Sequence, residues 1–376
     1  MAIRMKPMGI YVHVPFCVSK CKYCDFNSYP NLWDYEDTYF DALIDEILNK
    51  SGTERYLADT IYIGGGTPSA AQPQNIERVI AALTRRFSIA ENCEITLECN
   101  PATIDLQGFL ALRRVGINRI SIGMQSADDE ELRILGRTHD FAACVQCVSD
   151  AKAAGFENIS LDLMFGLPEQ DINSWRRSLK QAVSLQPTHI SCYALKIEEG
   201  TPFAKMALRL ADEDENREMY DTAVSFLGQY DYARYEISNF ARPGFESRHN
   251  LKYWQLDEYI GFGAGAHSFL DGKRFVNESA VAAYINGAEC EYTEESKNDL
   301  MSEFVFLGLR TARGIARAEF EHRFEIPIDT VYGALLQKNF NRGTLTENDG
   351  RILFPSEMFY VSNAVLWEFL KTEDPA

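Results

Sequence analysis

YVHVPFCVSKCKYCDF, residues Tyr11 to Phe26, decides how the rest of the chain is read. Cys17, Cys21 and Cys24 fall within eight residues at the spacing C-x3-C-x2-C. The apolar, β-branched run Ile10 to Val14 before them predicts a short strand, so the cysteines lie on a loop past its C-terminal end. Three closely spaced thiolates can hold an iron–sulfur cluster. A four-iron cluster has one iron more than this motif has thiolates, and the open iron implies a further ligand and chemistry. Zinc, with His13 as fourth ligand, is a competing reading. Structural zinc more often takes paired C-x2-C spacings, and His13 alternates with Val12 and Val14 as a strand residue would.

Outward from this loop, strand and helix alternate. A helix is expected over Asp37 to Asn49, with Tyr39, Leu43 and Ile47 on one face. Thr60 to Ile63 predicts a strand running into Gly64-Gly65-Gly66-Thr67-Pro68, followed by a helix with Ile76, Ile80, Leu83 and Phe87 on one side. Strands are expected at Glu94–Cys99, Arg119–Met124, Asn158–Phe165 and Thr188–Leu195, with helices between them. Six βα units mean a parallel sheet with right-handed crossovers. They are fewer than the eight that close a TIM barrel. An open or partial barrel is expected, with a doubly wound sheet as the alternative. In either, ligands bind at the C-terminal strand ends. Those ends carry the cysteine loop, the triple glycine, Glu98, Gln125, Asp162 and Tyr193. Polar residues recur there where apolar ones would serve a core, so this face is expected to bind a polar ligand.

Beyond Gly200 the pattern changes. ADEDENREMYDTAVSFLGQ is helical, Tyr235–Phe240 reads as a strand, and RHNLKYW and a glycine-rich strand ending at His267 follow. From about Lys297, helices alternate with a strand-like RILF and end in SNAVLWEFL. The expected units are residues 1–200, a barrel core; 201–290, an extension carrying H-N-x-x-Y-W; and 291–376, a small helical, winged-helix-like domain.

The chain has 376 residues, 46% of them hydrophobic, enough for a large core. No apolar run approaches the length of a membrane span, and MAIRMKPMG is followed by no apolar signal segment, so a cytoplasmic location is expected. Nine cysteines are too sparse for a disulfide scaffold. Cys144 and Cys147 share a helical face and read as small core residues rather than a second metal site. The net charge of −18 disfavours nucleic acid as a partner. It also disfavours tight binding to anionic membranes, although a local patch leaves peripheral association open.

The words YVHVPFC, GGGTP and HNLKYW resemble the oxygen-independent coproporphyrinogen III oxidase group of the radical S-adenosylmethionine (SAM) superfamily. Within it they resemble the haem chaperone branch, HemW. The resemblance implies an α/β fold, a partial (β/α)6 TIM-like barrel with a smaller C-terminal α+β domain. It implies a 4Fe-4S cluster on Cys17, Cys21 and Cys24, with SAM chelating the fourth iron. Electron transfer to SAM then yields a 5′-deoxyadenosyl radical. Gly65, Gly66 and Thr67 match the loop that binds the amino group of SAM, and Tyr11, Tyr23, Glu98, Gln125, Arg137 and Asp162 match SAM-contacting positions. In this branch the cargo is haem, delivered to respiratory haem proteins. His249, opening H-N-x-x-Y-W, is then the candidate haem ligand, with His267 second. An oxidase remains the alternative, as does a radical SAM enzyme of another substrate. Two departures weigh against the oxidase: Phe26 stands where the oxidases carry a further cysteine, and Cys17 comes sooner than their N-terminal extension would place it.

Overall fold

The computed structural model describes residues 5–288 and 290–370. Residues 1–4 of the charged start and 371–376 of the last expected unit lie outside the described residues. Six parallel strands form the frame: β1 (Lys6–Val14), β2 (Tyr56–Gly65), β3 (Ser88–Cys99), β4 (Arg119–Gln125), β5 (Asn158–Phe165) and β6 (His189–Ala194). Between them run helices α1 (Glu36–Asn49), α2 (Pro73–Arg86), α3 (Leu106–Arg114), α4 (Asp129–Leu135), α5 (Phe141–Ala153) and α6 (Ile172–Ser184). The strands pair in chain order and the sheet does not close on itself, as a partial barrel requires.

The second part of the chain extends both sheet edges. Beyond α7 (Glu213–Gly228), the short strand β8 (Asn239–Ala241) adds antiparallel to β6, and β7 (Ala233–Arg234) adds antiparallel to β8. The single strand expected over Tyr235–Phe240 is instead a tight hairpin. Tyr235 N–H bonds Asn239 O at 3.1 Å and Glu236 accepts from Ser238 N–H at 3.2 Å, which folds the middle of that stretch back. After α8 (Arg248–Trp254), the glycine-rich stretch supplies β9 (Tyr259–Phe262), a seventh parallel strand beside β1. Strands β10 (His267–Leu270), β11 (Lys273–Val276) and β12 (Glu291–Glu294) continue that edge, with α9 (Val281–Ile285) between the last two. The C-terminal part holds α10 (Lys297–Gly308), α11 (Arg317–Phe324), α12 (Ile328–Arg342) and α13 (Asn363–Phe369). Its three-stranded antiparallel sheet is built from β13 (Ile315–Ala316), β14 (Thr346–Asn348) and β15 (Arg351–Leu353). This is a winged-helix-like arrangement. It packs directly on α8 and its exit: Arg323 donates to Gln255 O and Leu256 O and pairs with Asp257.

The core lies between the sheet and its helices. On β4, Ile120, Ile122 and Met124 are fully buried on the helix side, with Phe109 and Leu112 of α3 and Cys144, Cys147 and Val148 of α5 also in that core. Side chains alternate across a strand, so the intervening residues face the lumen. There β4 places Arg119, Ser121, Gly123 and Gln125. Pairing sets Thr96 beside Arg119, Glu98 beside Ser121, Ser121 beside Ser160 and Asp162 beside Ser191. The result is a barrel with an apolar outer layer and a polar interior.

Candidate functional site

Cys17, Cys21 and Cys24 sit on the loop after β1, which is tied down at several points. Cys17 N–H bonds Tyr29 O, Trp33 Nε1 donates to Cys17 O at 2.9 Å, and Lys22 N–H reaches Leu135 O at the end of α4. The loop forms one wall of a cavity of about 350 Å³ at the C-terminal strand ends, within the usual range for small-molecule sites. The cavity also receives Tyr23, Gly65, Gly66, Thr67, Glu98, Gln125, Arg137, Asp162 and Tyr193. The polar strand ends singled out in the sequence therefore converge.

The glycine loop is built for close approach. Gly66 N–H bonds Val14 O at 2.8 Å and Thr67 N–H bonds Phe16 O at 2.7 Å, which clamps the loop against the cysteine-bearing chain. A Cβ on Gly66 would stand 2.4 Å from Phe16 O and 3.1 Å from Cys17 Sγ. Gly65 has φ of 116°, and a Cβ there would meet the His13 ring at 2.6 Å. Thr67 Oγ1 donates to Cys17 Sγ at 3.5 Å, and Arg137 Nη1 donates to Cys21 Sγ at 3.4 Å. Donors aimed at sulfur favour thiolates and tune a bound cluster. Burial pushes the Cys24 thiol up, so iron binding there would displace a proton.

Glu98 spans the lumen side. Its carboxylate accepts from Tyr62 OH at 2.8 Å and from Gly65 N–H at 3.0 Å. Burial pushes this carboxyl up to about 7, against those two hydrogen bonds and with help from nearby Asp162. Asp162 accepts from Ser191 Oγ at 2.7 Å and from Ser121 Oγ, and burial raises it also. Arg137 bonds Gly123 O at 2.9 Å and Asn100 Oδ1. Gln125 ends β4 at a bulge with φ of 62°, the left-handed conformation that functional strand ends often hold. Three thiols, acidic acceptors for an amino group and a guanidinium for a carboxylate suit an iron–sulfur cluster with an amino-acid-bearing ligand. Among the described residues no group of three or more Cys, His, Asp or Glu is arranged around a single metal ion.

Two expected residues stand apart from the cavity wall. Tyr11 OH bonds His13 Nδ1 at 2.9 Å, and His13 Nε2 bonds Asn27 O at 2.8 Å. Tyr11 thus reaches the cysteine loop through His13. His249 is 1% exposed, with Nδ1 on Thr60 Oγ1 at 2.9 Å and Nε2 on Tyr253 OH at 2.8 Å. Burial first, then Lys252 and Arg119, lowers its pKa to about 3, so the ring is neutral. Glu94 of β3 accepts from Arg248 N–H and His249 N–H, which seats the N-terminus of α8 on the barrel. Of this helix, Asn250 reaches the thiol cavity. His267 is exposed on β10. Phe26 stands at the cavity rim, 61% exposed.

Tyr62, Asn100, Arg119, Ser121, His189, Ser191 and Lys196 also line the cavity, beyond the residues the sequence singles out. A signal was present. Arg119, Ser121, Gly123 and Gln125 alternate strictly with Ile120, Ile122 and Met124, which is a lumen-facing parity.

Residues 11–182 match the model of the radical SAM superfamily, and residues 296–357 that of the HemN C-terminal domain. The chain is 36% identical to a protein of Lactococcus lactis named heme chaperone HemW, over 97% of this chain and 98% of that one. It is 34% identical to the heme chaperone HemW of Bacillus subtilis (96% and 98%) and 35% identical to that of Escherichia coli (85% and 86%). The solved structure of coproporphyrinogen III oxidase (HemN) from Escherichia coli superposes with a TM-score of 0.85 at 22% identity. It covers 97% of this chain and 90% of that one. Among the described residues no helix is long and apolar enough to cross a membrane.

Proposed function

The chain belongs to the HemW family of the radical SAM superfamily, and from that premise we propose that it is a haem-binding chaperone, with a SAM-coordinated 4Fe-4S cluster, that hands haem to respiratory haem proteins. The observation that carries this reading is end-to-end similarity to curated haem chaperones, together with H-N-x-x-Y-W on a helix that touches the thiol cavity. When bound, the cluster and SAM supply one-electron chemistry that the protein's own groups lack.

The chain's residues hold and shield that pair. Cys17, Cys21 and Cys24 are the cluster ligands, with Thr67 and Arg137 donating to two of the sulfurs. Glu98, ionised, receives the amino group of SAM beside Gly65 and Gly66, and Arg137 receives its carboxylate. Gln125, Asp162 and Tyr23 serve its remaining polar atoms, and Tyr11 positions the cysteine loop through His13. Of the proposed units, 1–200 would carry this site, 201–290 would bring α8 against it, and the described part of 291–376 would cover the outer side of α8. The cytoplasm is the expected compartment, and peripheral membrane contact would come only where an acceptor sits.

His249 is the candidate iron ligand, neutral as ligation requires, and His267 is second. For His249 to reach iron, Tyr253 must release Nε2. Anaerobic purification followed by haem titration, transfer to an apo-acceptor and a coproporphyrinogen assay tests the reading on one sample. Haem binding and transfer are expected. Coproporphyrinogen turnover without haem binding would overturn the proposal in favour of the oxidase.

A further inference from the structure

Next to the thiol cavity lies a second one, of about 640 Å³, between α8, β9, β10 and the C-terminal helix α10. Tyr193 and Asn250 stand in the walls of both. Five aromatic rings stand in its lining, Tyr193, Tyr253, Trp254, Tyr259 and Phe269, among polar groups that include Glu236, Asp257 and Glu303. Tyr259 and Tyr253 meet edge to face at 4.7 Å between ring centres.

Two guanidiniums face this space, and they differ. Arg274 is already answered by Glu303, and by Glu295 at 3.5 Å. Among the described residues Arg310 makes no ion pair. One of its nitrogens donates to Asn363 Oδ1 at 2.9 Å, and its buried Nε has no hydrogen-bond partner. Its guanidinium lies over the Phe306 ring at 4.4 Å and near the Trp254 ring at 5.9 Å. On the same wall Glu236 is fully buried, with Oε2 unpartnered. Glu236 acts on Arg310 through space but makes no ion pair with it, so the half-buried guanidinium keeps donors for an incoming carboxylate. Flat aromatic walls beside that cation fit a planar conjugated ligand bearing carboxylates.

We propose that this second cavity is the seat of the tetrapyrrole and that Arg310 takes one of its propionates. This rests on the reading that haem is the cargo. It adds where haem lies, what holds its acidic edge, and that Tyr193 and Asn250 border both it and the SAM cavity. Tyr253, whose hydroxyl holds His249 Nε2, lines this cavity, so the macrocycle lies on the side from which His249 is reached.

The test titrates the full-length protein with haem and with haem dimethyl ester, whose propionates carry no charge. The wild type should prefer haem by about tenfold or more, the scale of one charge-assisted hydrogen bond. Arg310→Gln should lose that preference while keeping its affinity for the ester, which also shows that the variant is folded. Arg274→Gln, whose charge is already neutralised by Glu303, should keep the preference. Equal binding of haem and ester by the wild type would overturn the inference without any variant, as would an undiminished preference in Arg310→Gln. Binding of neither ligand by the wild type would overturn the haem-chaperone reading itself, and this inference with it.

Discussion

Tyr253→Phe separates what α8 contributes to the fold from what it contributes to haem binding. The change keeps the ring in the cavity wall and removes only the hydroxyl that bonds His249 Nε2 at 2.8 Å. With His249 buried and Nδ1 held by Thr60, the freed Nε2 loses its side-chain partner. Leaving a buried polar atom unpaired costs about 1–3 kcal/mol, so the urea midpoint should fall by that stability. In the wild type, iron must break the same bond to reach Nε2; in the variant it need not. Haem affinity should therefore rise by the same amount, about 5- to 150-fold. Parallel urea melts and haem titrations read both numbers, with His249→Ala expected to abolish the gain. Lost stability with unchanged or weaker haem binding would refute His249 as the ligand and turn attention to His267.

Gly66→Ala should push Phe16 O and Cys17 apart from the glycine loop, costing about 1–3 kcal/mol and lowering iron and acid-labile sulfide per chain; full iron content would contradict the clamp described above. Arg137→Lys cannot reach Cys21, Gly123 and Asn100 together, and SAM binding by calorimetry should weaken about tenfold. Glu98 has a folded pKa near 7 against an ordinary value of 4.5, so the folded state holds its proton more tightly. The stability this contributes, about 3 kcal/mol at most, is present below about 4.5 and lost as the pH rises to 7. SAM affinity should run the other way, rising through pH 7 as the carboxylate forms. Glu98→Gln should flatten both curves, and unchanged pH profiles would remove Glu98 from the amino-group site.

The frame of this protein was legible because its signals are local. An apolar β-branched run before three cysteines, and glycines between a strand and a helix, each mean the same thing in any context. The parallel sheet and the convergence of strand-end residues on one cavity follow from that periodicity, whereas the partial barrel rather than a doubly wound sheet follows from the family resemblance. What escaped notice depends on distant partners. Nothing within Tyr259–Phe262 says that it will pair with β1, some 250 residues earlier in the chain. Tyr235–Phe240 has strand-like residues, yet Glu236 turns inward to serve its own backbone and bends the stretch into a hairpin. His249 read as an available ligand because sequence shows residue types, not the Thr60 and Tyr253 bonds that occupy both ring nitrogens. Arg119 was visible in principle through parity, but a single cation beginning an apolar strand reads locally as a solvent-facing end.

The polar lumen has a consequence for how the chain finds its structure. Sliding β4 by one residue would carry Arg119, Ser121 and Gln125 into the layer now filled by Phe109, Leu112 and Cys144, and expose Ile120, Ile122 and Met124 to the interior. An open parallel sheet with apolar side chains on both faces would tolerate such slips far better, since either face could serve as core. Here the ligand-facing side chains penalise every misaligned pairing during folding. The lumen-facing groups, Gln125 of the proposed SAM site among them, thus also proofread the strand alignment, and replacing them with hydrocarbon would trade one well-defined sheet for several of similar energy.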